Sequence, residues 1–420
     1  MSAATYATEI AAAALFLIAV AHTFSTRFFA RLAHTSPRHA GLWHLLSEVE
    51  VVFGFWAFVL ISVLFLTTGR ERAIGYLNDR NFTEPMFVFV IMVIAASRPV
   101  LAAVRETVRA VAASLPVARP VGTYFLCVAM VPLLGSFITE PAAMTLSAIL
   151  LRDAFYARGI STRLKYATIG VLFVNISIGG TLTPYAAPPV LMVAAKWGWD
   201  LPFMLATFGW KAAVAVLVNG VALTWLFREE IALRGRVVDD RSGAVPPAVI
   251  AVHLTFLAAV VAFAHHPEVF MGLFLFFLGY VEAYKKHQDR LILREGLLVA
   301  FFLAGLVTLG GLQQWWLQPA LSGVEPGALY WVATVLTAIT DNAALTYLGS
   351  LVEGTSAEFK YALVAGAVTG GGLTVIANAP NPAGFSILKG YFPDESISPT
   401  ALFVAALAPT AVAAAAFLLL

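Results

Sequence analysis

Long apolar stretches separated by short polar loops dominate the chain. A helix needs about 20 apolar residues to cross the hydrocarbon core of a bilayer, and many stretches approach or exceed that length. The pattern therefore predicts an all-α, polytopic membrane protein. The stretches have approximate bounds 5–30, 43–68, 84–104, 121–151, 165–198, 202–227, 247–264, 267–284, 295–316, 325–353, 358–389 and 398–420.

The longest polar stretch, 228–246, is rich in Arg, Asp and Glu and lies near the middle of the chain. It is predicted to be a cytoplasmic linker between a first half, 1–227, and a second half, 247–420. No separate soluble domain is expected.

Two pairs of motifs repeat in the same order. Residues 138–145 (Ile-Thr-Glu-Pro-Ala-Ala-Met-Thr) align with 339–346 (Ile-Thr-Asp-Asn-Ala-Ala-Leu-Thr). On the following apolar segments, 179–186 aligns with 370–377, and both stretches begin with paired glycines. Two matches in one order indicate that the chain is a duplication.

The acid-bearing segments, 121–151 and 325–353, are predicted to be re-entrant helical hairpins. The first is too long for one span, and Pro141 favours a break because proline removes a helix hydrogen bond. The alternative is one tilted, kinked helix per segment. Cytoplasmic loops collect Lys and Arg, and the hairpin arrangement gives the clearer separation of positive charge.

The hairpin arrangement predicts ten membrane crossings with both termini outside. Each half then has five crossings, so the second half is inverted relative to the first. Such inverted repeats are typical of secondary transporters, whose sites form near the bilayer midplane where broken helices meet.

The glycine motifs predict broken helices over 165–198 and 358–389. Paired glycines in mid-segment free backbone carbonyls, which is tolerated only beside protein or a water-filled cavity. Close helix packing is the alternative role for such glycines. Polar neighbours favour the unwound interpretation, and these are Thr183, Thr374, Asn378 and Asn381.

Glu140 and Asp341 occupy matching places at the predicted hairpin tips. A carboxylate at the bilayer centre costs at least about 2.5 kcal/mol, so a functional role is expected. Each acid could also cap the second helix of its hairpin, a role compatible with ion binding. Neighbouring groups could complete an oxygen cage for a small, hard cation, namely Ser136, Thr139, Thr340 and Asn342.

Lys211 is a third charge inside a predicted span, roughly 13 Å deep at 1.5 Å per residue. A buried lysine needs a carboxylate partner or a depressed pKa. Two interpretations stay open: an ion pair with Glu140 or Asp341 that the cation displaces, or a static structural ion pair.

Composition narrows the functional classes. Hydrophobic residues make up 60% of the chain and charged residues 12%, against about 25% charged in soluble proteins, which excludes a soluble enzyme and a nucleic-acid-binding protein. The lone cysteine, Cys127, excludes a disulfide or a cysteine metal site within one chain. The absence of a nucleophile–base pair argues against an enzyme, and no cofactor is expected.

The motifs resemble those of the ion transporter superfamily, and most closely its sodium/proton antiporters, similar to D-type bacterial Na+/H+ antiporters. The residues that carry this resemblance are 340–342, 179–184 and 297–306. Two positions depart from the family pattern. Glu140-Pro141 stands where the antiporters usually have Asp-Asn, and Ala187 stands where they often have an acid.

The resemblance implies a secondary transporter of the plasma (inner) membrane that exchanges Na+ or Li+ for H+, and it implies a homodimer. Competition between proton and cation for the same partly desolvated carboxylates would couple the two fluxes. The alternative within the superfamily is a sodium-coupled symporter of organic or inorganic anions, although carboxylates at the tips would repel an anion. A membrane-embedded hydrolase or scaffold would have no use for a duplicated site.

Overall fold

A computed structural model describes residues 3–35, 37–236 and 244–420. Regular secondary structure in these residues is helical throughout, as the apolar pattern predicts. Part of the predicted linker 228–246, namely 237–243, lies outside the described residues. The α-helices, numbered α1 to α23 in chain order, are Ala3–Thr35, Ala40–Ser47, Val49–Thr68, Arg70–Asn78, Thr83–Ala95, Arg98–Ser114, Arg119–Val128, Met130–Ile138, Glu140–Ala154, Thr162–Gly179, Pro188–Trp197, Leu201–Met204, Trp210–Leu226, Arg228–Arg234, Pro247–Ala262, Pro267–Ala283, Leu293–Gly310, Gln314–Leu321, Pro326–Ile339, Asn342–Ser350, Ala357–Gly370, Asn381–Leu388 and Pro399–Leu419.

Several helices are long and apolar enough to cross a bilayer, so the chain is an integral membrane protein. In the described residues six helices meet this criterion, and two bent helix pairs raise the number to eight if each pair is one span. The ten crossings and the outward termini stay predictions. The six helical spans are Thr8–Thr26, Glu50–Thr68, Thr162–Leu182, Leu201–Leu226, Leu293–Gly310 and Pro399–Leu419.

The first bent pair lies where the sequence predicts one span over 84–104. Helices α5 and α6 meet at 62°. The extended backbone of Ser97 separates them, and Pro99 lies in the first turn of α6. Proline is favoured at the start of a helix, so the local sequence begins a new helix where hydropathy alone shows a continuous stretch.

The second bent pair, α7 and α8, lies in the predicted first leg of segment 121–151 and is bent by 43°. Pro132 lies one turn beyond Val128 and has no N–H to donate to the Val128 carbonyl. The Asn175 amide donates to that carbonyl instead, at 2.7 Å. The bend thus has an identifiable cause, and a buried side chain compensates for the lost helix bond.

All four repeat motifs interrupt helices. The first tip (136–141) separates α8 from α9 at Thr139, and the second tip (337–342) separates α19 from α20. The first break (179–187) lies between α10 and α11 and contains one short 3-10 turn, and the second break (370–380) lies between α21 and α22. The interruptions fall where the sequence predicts them.

The described residues form two compact units. The first consists of residues within Met1–Phe89, Leu293–Val324 and Tyr347–Ser356. Inside it, α3 packs closely along α17. A Cβ on Gly305 would lie 2.6 Å from the Gly54 Cα, so the two helix backbones are in direct contact at these glycines.

The second unit contains both tips and both breaks. It consists of described residues within Val90–Ile292, Glu325–Thr346 and Ala357–Leu420. Helix α10 is buried over most of its length and packs against α8, α13 and α23. Helix α19 packs along α21, where Gly366 and Gly370 leave room for the carbonyls of Tyr330 and Thr334.

Candidate functional site

Ser136 joins the first tip to the first break. Its hydroxyl donates to the Gly179 carbonyl at 2.7 Å and accepts from the Leu182 N–H at 2.9 Å. The Thr183 hydroxyl donates to the Ser136 carbonyl at 2.6 Å. Both side chains are fully buried. Ser136 and Thr183 therefore fix the position of the tip against the break.

Glu140 is the innermost acid of the site, with none of its surface exposed. Its Oε2 accepts a hydrogen bond from the Asn378 amide at 2.8 Å, whereas Oε1 has no hydrogen-bond partner among the described residues. A buried charge needs a partner, because isolated carboxylates are strongly disfavoured away from water. The Glu140 carboxylate therefore requires either a proton or a bound cation.

Thr139 precedes this acid in an unusual conformation. Its φ is 72° and its ψ is 149°, a region that residues other than glycine rarely adopt. Its buried hydroxyl has no hydrogen-bond partner among the described residues. The backbone strain and the buried hydroxyl both lie directly beside Glu140.

Asp341 has a different environment from that of its repeat counterpart. It is half-buried, and its Oδ1 accepts from the backbone N–H groups of Ala343 and Ala344 at 2.8 and 3.1 Å. It thus caps the start of α20.

Asn342, the next residue, is fully buried. Its backbone N–H donates to the Ala377 carbonyl in the second break at 3.2 Å. Neither its side-chain oxygen nor its side-chain nitrogen has a partner in the described part of the chain. Thr340, in contrast, donates its hydroxyl to the Leu336 carbonyl at 2.8 Å.

Side chains compensate for part of the unwound backbone in the second break. The Asn381 amide donates to the carbonyls of Gly371 and Thr374 at 2.7 and 2.8 Å. The Thr374 hydroxyl donates to the Ala338 carbonyl at 2.8 Å. Irregular backbone at membrane depth requires such internal partners.

Buried polar atoms without partners gather around the tips and the second break. Buried polar groups in proteins are almost always hydrogen-bonded, so such a group of atoms indicates a ligand site. Oxygen atoms dominate the set, and unwound helices provide oxygen ligands for Na+ and H+ in secondary transporters. In the described residues the atoms are Thr139 Oγ1, Glu140 Oε1, Thr337 Oγ1, Asn342 Oδ1 and Nδ2, Asn378 Oδ1 and Asn381 Oδ1.

In the residues that the structure describes, no three His, Cys, Asp or Glu side chains lie together in a group that could hold a metal ion. The unpartnered atoms of the two tips and the second break belong to one carboxylate and to neutral amides and hydroxyls. Such a set carries little charge, which suits a monovalent cation or a proton.

Lys211 follows a π-helical turn, Leu205–Gly209, that interrupts the span. Its ammonium donates to the Tyr361 hydroxyl at 2.9 Å and lies 4.7 Å from the centre of that ring. Tyr361 in turn donates to the Phe417 carbonyl at 2.6 Å. Among the described residues the hydrogen-bond partner of Lys211 is therefore a tyrosine, and no ion pair joins it to either acid.

The second unit holds all the predicted site residues, and hydrogen bonds join Ser136 to Thr183, Glu140 to Asn378 and Asn381 to Thr374. Sequence reasoning did not identify Thr337. It aligns with Ser136 if the repeat is extended by two residues towards the N-terminus, so a signal was present. Glu140 also lies against the Cα of Gly180, where an added Cβ would be 2.7 Å from the Glu140 Cγ. No sequence signal predicts this contact, because it depends on how the first break meets the first tip.

Residues 7–420 match the model of a family described as "Putative Na+/H+ antiporter". The comparison with curated proteins gave no match. Because the match covers nearly the whole chain, the protein belongs to this Na+/H+ antiporter family.

Proposed function

We propose that the protein exchanges Na+ or Li+ for H+ across the plasma membrane by alternating access. The observation that carries this proposal is the fully buried Glu140, whose Oε1 has no hydrogen-bond partner among the described residues. A cation and a proton each neutralise such a carboxylate, so they compete for it. Competition at one site makes the two movements obligatorily coupled.

The roles of the residues follow from their contacts. Glu140 binds the cation or the proton, and Asn378 orients the carboxylate through its amide. Asp341 contributes a second negative charge. The amide and hydroxyl oxygens of Asn342 and Thr139 complete the cation's coordination, since both are buried and unpartnered among the described residues.

The architecture that fits this function is an inverted repeat of five crossings and one re-entrant hairpin per half. It supports alternating access because one repeat-derived bundle can move against another around a central site. Homodimerisation, with both termini outside, is part of the same proposal, and the resemblance to sodium/proton antiporters supports it.

The experiment uses purified protein in liposomes that contain an internal pH dye, under an imposed proton gradient. Na+, Li+, K+ and choline are added in turn. The wild type is compared with Glu140→Gln and Asp341→Asn. Glu229→Gln serves as a matched control, because it makes the same change at a carboxylate that is 85% exposed.

Proton movement driven by Na+ or Li+, lost in Glu140→Gln and retained in Glu229→Gln, is the expected result. If a folded Glu140→Gln variant exchanges normally, Glu140 only begins a helix and the assignment is wrong. Sodium-dependent uptake of labelled anions without cation-driven proton movement would show that the protein is a symporter.

A further inference from the structure

We infer that Gly180 determines which cation the site accepts, because its missing side chain gives the Glu140 carboxylate its position. This inference rests on the proposed function and adds a specificity-determining residue to it.

The space that a side chain at residue 180 would occupy is filled by Glu140. A Cβ built on Gly180 would overlap the Glu140 Oε1 and would lie 2.7 Å from Cγ and 2.9 Å from Cδ of that residue. Ordinary contacts of a Cβ begin at 3.4 Å. The acid therefore lies directly on the bare Cα of the glycine, with its unpartnered oxygen closest.

Backbone conformation gives no other reason for a glycine at this position. Gly180 has φ −72° and ψ −6°, which any residue adopts without strain. The requirement for glycine is therefore one of volume, and the side chain that imposes it is Glu140.

Neither partner can move away at low cost. Ser136 holds the first tip against the first break through its bonds to Gly179 and Leu182. Glu140 is fully buried, so a displaced carboxylate has no solvent to enter. A methyl group at residue 180 would therefore displace the carboxylate oxygen to which the proposed function assigns the cation.

The length of the acid matters for the same reason. Glutamate is one methylene, or roughly 1.5 Å, longer than aspartate. In the repeat alignment the residue equivalent to Glu140 is the shorter acid Asp341. A glutamate at residue 140 fits against the first break only because residue 180 has no side chain. Shortening the acid should therefore restore the space that a methyl group at residue 180 removes.

The second break provides an internal contrast. A Cβ on Gly371, which aligns with Gly180, would lie 2.9 Å from the Asn342 amide nitrogen and would overlap the Ser177 hydroxyl. The matching glycine thus lies beneath an amide. An effect of acid length on a substitution is expected only at the first break.

The experiment measures two quantities for each variant. One is the Na+ concentration for half-maximal proton movement in liposomes, with the ratio of rates for Na+, Li+ and K+. The other is the Na+-dependent rise in thermal stability of the purified protein, which reports binding without transport. The variants are Gly180→Ala, Glu140→Asp and the double variant.

Two further variants act as controls. Gly272→Ala places a methyl group in open space on α16, so it should match the wild type. Gly179→Ala brings a Cβ within 2.8 Å of the Pro132 carbonyl oxygen. Its defect should be independent of the length of the acid and should persist when it is combined with Glu140→Asp.

Gly180→Ala is expected to raise the half-maximal Na+ concentration at least tenfold and to change the Na+ to Li+ ratio. The double variant should return to within about threefold of Glu140→Asp alone, which corresponds to less than 1 kcal/mol. If Gly180→Ala behaves as the wild type, or if the double variant is no better than Gly180→Ala, the inference is wrong.

The two measurements separate this inference from the proposed function. If Na+ stabilises the wild type, and Gly180→Ala loses that effect and the double variant regains it, without any proton exchange, Gly180 determines cation binding in a transporter that is not an antiporter. If exchange occurs and Gly180→Ala leaves it unchanged, the antiporter proposal stands and the inference fails. Absence of Na+ stabilisation in the wild type would also overturn the inference.

Discussion

The first and second tips occupy matching places in the repeat, yet their hydrogen bonds differ. At the first tip, Ser136 makes hydrogen bonds to two backbone groups of the adjacent break, and the acid that follows is fully buried. At the second tip, the aligned Thr337 hydroxyl has no partner among the described residues. There Asp341 caps its own helix, and the buried polar side chain is the neighbouring Asn342.

This contrast indicates a division of roles between the two repeats. The first tip holds one fully buried carboxylate, whereas the second break provides the amide that hydrogen-bonds it. Asn378 illustrates this division, because it belongs to the second repeat and hydrogen-bonds the acid of the first. A site assembled from both repeats can respond to movement of either one.

The largest expected effect on stability concerns the two aligned hydroxyls. Ser136→Ala leaves the Leu182 N–H and the Gly179 carbonyl without their side-chain partner, and each unsatisfied buried group costs roughly 1–3 kcal/mol. We expect the free energy of unfolding to fall by about 2–4 kcal/mol. Denaturant titration in detergent would measure the change.

Thr337→Val is the matched variant at the second tip. It removes a hydroxyl that has no partner in the described residues, so stability should be unchanged or slightly higher. If Ser136→Ala and Thr337→Val lower the free energy of unfolding equally, the two tips are equivalent and do not differ in their hydrogen bonding.

Asn378 tests whether the second repeat supports the acid of the first. Asn378→Ala removes the hydrogen bond to Glu140, and hydrogen bonds to charged groups contribute roughly 1.5–3 kcal/mol. The apparent Na+ affinity should fall about 10- to 100-fold, measured as the half-maximal concentration for proton movement. Asn81→Ala is the control, because it removes an exposed Asn–Glu hydrogen bond of 3.1 Å. An equal fall in Na+ affinity in that variant would show that Asn378 has no specific role.

Much of the fold follows from local sequence signals. Pro141 and the paired glycines predict three of the four helix interruptions, because proline and glycine act on the backbone of their own segment. The repeat alignment predicts the fourth, at Asp341, and all four are present. The bend between α7 and α8 was not predicted, although Pro132 lies one turn beyond it. The structure shows the effect of this proline, because the Asn175 amide donates to the Val128 carbonyl that has lost its helix hydrogen bond.

The site was predictable by residue type but less so by role. Intramembrane acids and amides stand out in an apolar chain, and this signal identified Glu140, Asp341 and Asn378. The capping role that the sequence offered for Asp341 is present, but the sequence could not show that the next residue, Asn342, is the fully buried one. Nor could it place Lys211 beside Tyr361, 150 positions away.

Backbone strain gives a prediction of opposite sign at the two tips. Thr139 has a positive φ, whereas the aligned Thr340 has φ −132°. Relief of a strained conformation contributes about 1–3 kcal/mol, and the added flexibility of glycine costs about 0.5–1 kcal/mol. Thr139→Gly should therefore raise the free energy of unfolding by about 1 kcal/mol and Thr340→Gly should lower it. Changes of the same sign in both would show that Thr139 is not strained.

The smallest expected effect separates the two roles of Asp341. Loss of an N-cap costs about 0.5–2 kcal/mol, and Asn caps about as well as Asp. Asp341→Ala should therefore lower the free energy of unfolding by about 1 kcal/mol, whereas Asp341→Asn should change it by only a few tenths of a kcal/mol. With the cap retained, any loss of cation-driven proton movement in Asp341→Asn must come from the missing charge. If exchange survives in Asp341→Asn and fails only in Asp341→Ala, the second tip contributes its helix start and its amides, and Glu140 alone carries the exchanged charge.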